Sequence, residues 1–334
     1  MGSEGLQRAS RSTWQTSLQQ AVRSLDSLLE LLELRREQLP PLDENPRFPL
    51  LVPLEFIARM ERGNPADPLL RQVLPLAEEN RVVQGFQADA VGDGLSAKAP
   101  GVLHKYGSRA LLVATGMCAV HCRYCFRRHY PYEETPKSFE AWKDSLDYIA
   151  DHPEIEEVIF SGGDPLSLGN SRLFGLIEAV EGIAHVSRIR IHTRFPVLIP
   201  SRIDAEFLNR IQSIHKPVWM VLHINHANEM DSNVVEAANA LRKSGVILLN
   251  QAVLLRGVND SIEIQRALNR RLVDNGIMPY YLHQLDRVSG TAHFETDESQ
   301  GRSIIHRLRE ESSGYGVPRF VREIPGKPSK TLIE

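Results

Sequence analysis

Thr115-Gly-Met-Cys-Ala-Val-His-Cys-Arg-Tyr-Cys-Phe-Arg-Arg-His129 contains all three cysteines of the chain, Cys118, Cys122 and Cys125. Thiolates at C-x3-C-x2-C spacing on one short loop converge on one face and can hold three irons of a 4Fe-4S cluster, leaving the fourth iron open to a small-molecule ligand. A zinc site would close with four ligands, His121 or His129 supplying the fourth. A disulfide would leave one thiol over and place the bridge in a tight loop. The loop follows a strand-like run at 110–115, and that order sets how the rest of the chain is read.

Downstream, short β-branched or apolar runs at 158–161, 188–193, 218–224, 246–252 and 278–284 bring the expected strands to six. Amphipathic segments of helical length at 139–151, 173–181, 205–214, 232–243 and 262–275 alternate with them, the spacing of repeated βα units. Right-handed crossovers curl such units into a parallel barrel or an open partial barrel. The fold class is therefore α/β. Upstream, Leu18-Gln-Gln-Ala-Val-Arg-Ser-Leu-Asp-Ser-Leu-Leu-Glu-Leu-Leu32 has a helical pattern whose leucines would pack on the main domain or form a partner surface. The stretch 48–79, punctuated by Pro49, Pro53, Pro65, Pro68 and Pro75, reads as a layer of short helices. The expected organisation is a helical accessory region at 1–100, a (βα)6 partial barrel at 101–295 and a C-terminal segment at 296–334.

Composition sets outer bounds. With 334 residues, 42% of them hydrophobic, the chain can bury a large core. A formal net charge of −3 gives no electrostatic footprint for nucleic acid. No apolar run approaches the roughly 20 residues of a membrane span, and the start, Met1 to Gln20, lacks a signal-peptide core. The expected location is the cytoplasm, where thiols stay reduced.

A parallel barrel gathers its chemistry at the C-terminal ends of its strands. The first strand ends at the cysteine loop and the second in Ser161-Gly-Gly-Asp-Pro165, whose glycines let backbone approach a ligand. The remaining four end in His192-Thr-Arg194, His223-Ile-Asn-His226, Asn250-Gln251 and His283-Gln-Leu-Asp286. One buried polar group is usually satisfied by its own fold; five strand ends carrying them favour a site.

The cysteine spacing, the aromatic Phe126 after the last cysteine and the preceding strand together resemble the radical S-adenosylmethionine (SAM) superfamily. Within it the chain resembles the lysine 2,3-aminomutase family, in particular its shorter branch. The likeness runs through His104-Lys-Tyr-Gly-Ser-Arg109, residues 118–128, Ser161-Gly-Gly-Asp-Pro-Leu-Ser167, His223-Ile-Asn-His-Ala-Asn-Glu229, residues 250–260, Pro279-Tyr-Tyr281 and Ser313-Gly-Tyr-Gly-Val-Pro318. The resemblance implies a radical SAM partial (βα)6 barrel and an isomerase that converts L-lysine to β-lysine with a 4Fe-4S cluster, SAM and pyridoxal phosphate (PLP).

The resemblance also distributes roles. Cys118, Cys122 and Cys125 would ligate the cluster, Ser161, Gly162, Gly163 and Asp164 would hold the amino group of SAM, and His223 and Gln251 would contact a cofactor. Pro325-Gly-Lys-Pro-Ser-Lys-Thr331 resembles the segment that ends in the catalytic PLP lysine, which falls on Lys330; Lys327, its rival, stands with Pro328 and Ser329 where the family has glycines. Lys105, Tyr106 and Arg109 would bind the PLP phosphate, Lys105 in place of a usual arginine. Arg127, rather than its neighbour Arg128, would bind the substrate α-carboxylate, and Asp286 with Glu323, a Glu in place of Asp, its ε-ammonium. An electron donor such as flavodoxin or ferredoxin would reduce the cluster. The shorter branch implies a pathway in which a lysyl ligase attaches β-lysine to elongation factor P, and the chain ends four residues after Lys330, whereas long relatives continue. Alternatives are a radical SAM aminomutase acting on another amino acid, or without PLP, and a non-enzymatic metal-cluster protein.

Overall fold

A computed structural model describes residues 13–333, so the first twelve residues of the Met1 to Gln20 start, and Glu334, lie outside it. Ten strands form one sheet in chain order: β1 (Ala97–Ala99), β2 (Val102–Tyr106), β3 (Arg109–Thr115), β4 (Glu157–Gly162), β5 (Arg188–Thr193), β6 (Val218–His223), β7 (Ile247–Val253), β8 (Met278–His283), β9 (Arg319–Arg322) and β10 (Thr331–Leu332). Strands β3 through β9 run parallel. Antiparallel pairs flank them, β1 and β2 at one edge and β10 at the other. All six expected strands are present, each within one residue of the expected bounds. Strands β1, β2, β9 and β10 have no counterpart among the six strands that the sequence pattern implies. They are short and carry no sustained apolar run, so pairing with a neighbour is what makes them strands.

Helices follow the parallel strands as the spacing implies: α6 (Lys143–Ala150), α7 (Asn170–Glu181), α9 (Ala205–Gln212), α10 (Ser232–Lys243), α11 (Ile262–Asp274) and α12 (Glu298–Glu311), with the one-turn helix α8 (Phe195–Leu198) after β5 and another, α5 (Asp93–Ser96), ahead of β1. Several begin on a capping side chain that takes up a free backbone N–H. Asp204 accepts from Phe207 N at 2.8 Å, Asp231 from Val234 N at 2.9 Å and Ser261 from Ile264 N at 3.3 Å. One face of each strand meets these helices. Val158, Phe160, Ile189 and Ile191 are fully buried beside Leu173, Phe174, Ile177 and Phe207. The alternate residues, Ile159 and Ser161 on β4 and Arg190 and His192 on β5, line a single cavity that residues from β2 through β8 also line. A flat sheet cannot bring so many strands to one cavity, so this one is curled into an open partial barrel whose edges, β1 and β10, do not pair.

The N-terminal helical pattern is not one helix. It divides into α1 (Thr13–Gln19) and α2 (Leu25–Leu31) because Val22 leaves the helix to pair antiparallel with Val52, N to O at 2.8 and 3.0 Å, and Ser24 caps the restart. The leucines pack on the main body, as expected. Leu28, Leu29, Leu32 and Leu34 are buried in the same cluster as the barrel, and Trp14 meets Phe195 edge to face at 5.6 Å. The stretch 48–79 supplies α3 (Leu54–Ile57) and α4 (Pro68–Arg71) to this layer. Among the described residues, no helix is long and apolar enough to cross a membrane. Because one core runs through both regions, Leu28→Ala is expected to lower the stability of the whole chain by about 2–5 kcal/mol. Urea unfolding followed by far- and near-ultraviolet circular dichroism should show one shifted transition; a separate early transition would mean that the layer unfolds independently.

Candidate active site

The cysteine loop leaves β3 at Thr115 and is held down by the end of β4. Gly163 N donates to Thr115 O at 2.8 Å and Asp164 N to Met117 O at 2.7 Å. A Cβ on Gly162, whose φ is +118°, would stand 2.6 Å from Thr115 O, and one on Gly163 would stand 2.4 Å from Met117 O. The sequence alone suggests these glycines as room for a ligand. In the structure their first task is to let two backbones touch. Asp164 is similarly committed. Its Oδ1 accepts from Leu166 N at 3.0 Å and Thr193 Oγ1 at 2.7 Å, and its Oδ2 from Arg194 N at 2.8 Å and Phe195 N at 3.1 Å. Burial still pushes this carboxyl up to about 6 against those donors.

Cys118, Cys122 and Cys125 line the cavity together. All are free thiols, which excludes the disulfide alternative here. Burial, with the neighbouring thiols adding to it, raises Cys118 well above the usual thiol range and Cys125 to about 11, so a metal's positive charge is what would make them thiolates. The histidines that a zinc site would need are engaged elsewhere. His121 Nδ1 bonds Pro49 O at 2.8 Å while its ring stacks on Phe48, and His129 Nε2 bonds Ser289 O at 3.1 Å. Among the described residues, no three His, Cys, Asp or Glu side chains are grouped to hold a single metal ion. A cluster assigns each thiolate to a separate iron and needs no such cage.

Behind the thiols lies a buried polar hub. Arg194 donates from Nη1 to Cys122 Sγ at 2.8 Å and from Nη2 to Gln72 Oε1 at 2.6 Å and Glu229 Oε2 at 2.9 Å. Asn225 Nδ2 reaches Tyr124 Oη at 2.7 Å and Gln72 Oε1 at 3.1 Å. The Tyr124 hydroxyl lies 3.0 Å from His223 Nε2, with the two rings stacked. Burial, followed by the nearby Arg194 cation, lowers His223 to about 3, so its imidazole is neutral. Gln251 lines the cavity, whereas Asn250 is spent on the backbone of Ile224.

The cavity is also lined by charged groups. Arg127 Nε donates to Asp93 Oδ2 at 2.7 Å and its Nη1 to Ser161 Oγ at 3.3 Å. Asp93 Oδ1 lies 2.8 Å from Lys105 Nζ. Burial pushes the Asp93 carboxyl up, but Arg127 and Lys105 outweigh it and hold it at about 2. Arg128 instead turns to Glu79 at 2.7 Å and to two carbonyls, which separates it from Arg127. Glu323 accepts from Lys330 Nζ at 2.6 Å and from the Tyr106 hydroxyl at 2.6 Å, and Arg109 covers the Tyr106 ring at 4.3 Å. Burial raises Glu323 too, and Lys330, Tyr106 and Lys105 together bring it below the usual carboxylate range. Asp286 also lines the cavity. It has no hydrogen-bond or ion-pair partner for its carboxylate among the described residues, and burial raises it to about 6. Lys330 lines the cavity, and Lys327 is exposed outside it. The enclosed volume is about 280 Å³.

Residues 112–268 match the model of the radical SAM superfamily. The chain is 46% identical over 331 residues to the L-lysine 2,3-aminomutase of Escherichia coli, spanning 98% of this chain and 96% of that one. It is 45% identical to the enzyme of the same name from Haemophilus influenzae over 96% and 95% of the two chains. With that of Clostridium subterminale it shares 33% identity over 96% of this chain and 77% of the relative. The chain belongs to the L-lysine 2,3-aminomutase family.

It is therefore an aminomutase, an isomerase, and family membership implies a 4Fe-4S cluster, SAM and PLP. The residues present fit those groups. Three thiols share one loop, with a guanidinium bonded to one sulfur, and a lysine amine with further cations opens into the same space. Sequence reasoning missed Asp93, Gln72 and Tyr124 and gave Glu229 no role. Asp93 sits in the polar turn Gly92-Asp-Gly94 and Gln72 at the end of α4, and neither carries a local signal of burial. Gly163→Ala is expected to force Met117 and the cysteine loop away, cutting the iron retained per chain after anaerobic reconstitution several-fold. Gly314→Ala, whose added Cβ meets nothing within 4 Å, should retain the parent's iron content.

Proposed function

We propose that this aminomutase converts L-lysine to β-lysine, moving the amino group from C2 to C3. The observation that carries the reading is that the cysteine loop and the amine of Lys330 open into one cavity. When bound, the reduced cluster and SAM supply a hydrogen-abstracting radical, and PLP supplies a carbonyl for the substrate's α-nitrogen. The protein's share is positioning. Cys118, Cys122 and Cys125 hold the cluster. The backbone at Ser161, Gly162 and Gly163, stiffened by Asp164, offers polar groups to SAM, as do His223 and Gln251. Lys105, Tyr106 and Arg109 offer two cations and a hydroxyl to a phosphate dianion, and Lys330 is the PLP lysine.

For the substrate, Arg127 takes the α-carboxylate and Asp286 the ε-ammonium. An amino acid without a distal cation would leave the half-buried Asp286 carboxylate uncompensated, which favours lysine over other substrates. The curled sheet keeps water from the reacting carbons, as radical chemistry requires. We extend the proposal to a flavodoxin or ferredoxin class reductant, to the cytoplasm, and to β-lysine supply for a ligase acting on elongation factor P. The likeness to the shorter branch of the family supports that last role.

Anaerobic reconstituted protein given reductant, SAM, PLP and L-lysine is expected to yield β-lysine by chiral mass spectrometry. SAM cleavage without β-lysine would overturn the substrate assignment. Because Asp286 must be ionised to hold an ammonium and sits at about 6, kcat/KM for lysine should fall as pH drops below about 6. A pH profile flat through that region would remove Asp286 from substrate binding.

A further inference from the structure

His192 lines the cavity from β5. Its Nε2 is closed off from solvent, and among the described residues neither ring nitrogen makes a hydrogen bond. Burial, followed by the cations of Arg190, Lys330 and Arg127, holds the imidazole well below the usual histidine range, so it is neutral. A neutral imidazole has one N–H and one bare nitrogen. On the sealed Nε2 the proton would be a buried donor with no acceptor, which carries the full desolvation cost; on Nδ1 it is open to whatever fills the cavity. His192 is therefore an uncharged donor offered to the cavity.

Strand register decides which acceptor it meets. Ile191 is opposite Phe160, so one residue further on His192 stands beside Ser161, the hydroxyl that Arg127 Nη1 reaches at 3.3 Å. Arg109, proposed for the phosphate, belongs to an earlier level: it is opposite Glu157, and Glu157 is opposite Arg188. That level lies four residues, about 13 Å, before His192 along β5. His223 and Gln251, proposed for SAM, are opposite each other at a later level. His192 is opposite Val221, two residues and about 7 Å before His223. It stands between those two levels, beside the serine that Arg127 touches.

We propose that His192 is a substrate-binding residue, donating from Nδ1 to the α-carboxylate that Arg127 holds. The inference rests on Arg127 taking that group. A carboxylate has two oxygens with about four acceptor positions, and a guanidinium side by side with it fills two. A neutral second donor fills another without adding to the positive charge of the empty site. The contact also selects: a ligand with two amines and no carboxylate leaves the His192 N–H buried and unpaired, a cost that counts against it.

The test uses full-length protein anaerobically reconstituted with cluster, SAM and PLP but given no reductant, so that binding is read without turnover. Equilibrium dialysis compares L-lysine with 1,5-diaminopentane, the same chain without the carboxylate. His192→Ala is expected to weaken L-lysine about tenfold, the loss of one hydrogen bond to a charged group, and 1,5-diaminopentane less than about twofold. His192→Asn, whose side-chain amide can place an N–H near the Nδ1 position, should bind L-lysine within about threefold of the parent. If His192→Ala does not keep the parent's iron content, His192→Leu, which fills the space without a donor, carries the same expectation. Equal weakening of both ligands, or of neither, overturns the proposal while the aminomutase reading stands. A loss confined to retained SAM or PLP overturns it too, because the donor would then serve the SAM carboxylate or the PLP phosphate. Arg127→Gln checks the underlying reading: if L-lysine keeps its full advantage over 1,5-diaminopentane in that variant, Arg127 does not hold the carboxylate, and that reading falls with the proposal.

Discussion

A single buried guanidinium ties the functional half of this chain together. Arg194 sits at the end of β5, and its two terminal nitrogens reach Cys122, Gln72 and Glu229, groups from the cysteine loop, the N-terminal layer and the loop after β6. A charge so deeply buried survives only with a partner and well-directed hydrogen bonds. Glu229 provides the charge, and it in turn accepts from Gln72 and the backbone N–H groups of Asn225 and His226. Removing either ion would strand the other. The position of the cysteine loop therefore depends on strands and helices remote in sequence, and the N-terminal layer is part of the site's foundation.

The same logic extends round the cavity, where most of the cations meet a carboxylate: Arg127 and Lys105 share Asp93, Lys330 pairs with Glu323, and Arg190 with Glu157. On the proposed reading the cavity receives a phosphate, a substrate carboxylate and an ammonium, and without these pairings it would carry uncompensated charge before they arrive. Asp286 is the exception, and its raised pKa is the cost of having no partner. The thiols and the amine of Lys330 line the same space.

Much of this was legible in the sequence for local reasons. Apolar runs such as 188–193 declare a strand without help from the rest of the chain, and three cysteines on one loop declare a metal centre. What was illegible is set by partners far away. Val22 breaks a good helical pattern because Val52 is there to pair with it, and Arg319–Arg322 is a strand because β8 lies beside it. Gly163 looked like a ligand contact, yet it is required first by Met117 O. Neighbouring candidates separated only in three dimensions. Arg128 turned to Glu79 while Arg127 entered the cavity, and the hairpin register placed Lys330 inside and left Lys327 exposed.

The central claim is that the amine of Lys330 and the cysteine loop serve one reaction space. Borohydride reduction of the PLP-loaded protein, followed by peptide mass mapping, tests it most directly, because reduction fixes PLP to whichever lysine holds it. The account predicts a single pyridoxyl group on Lys330. Its appearance on Lys327 or Lys105 instead would contradict the account.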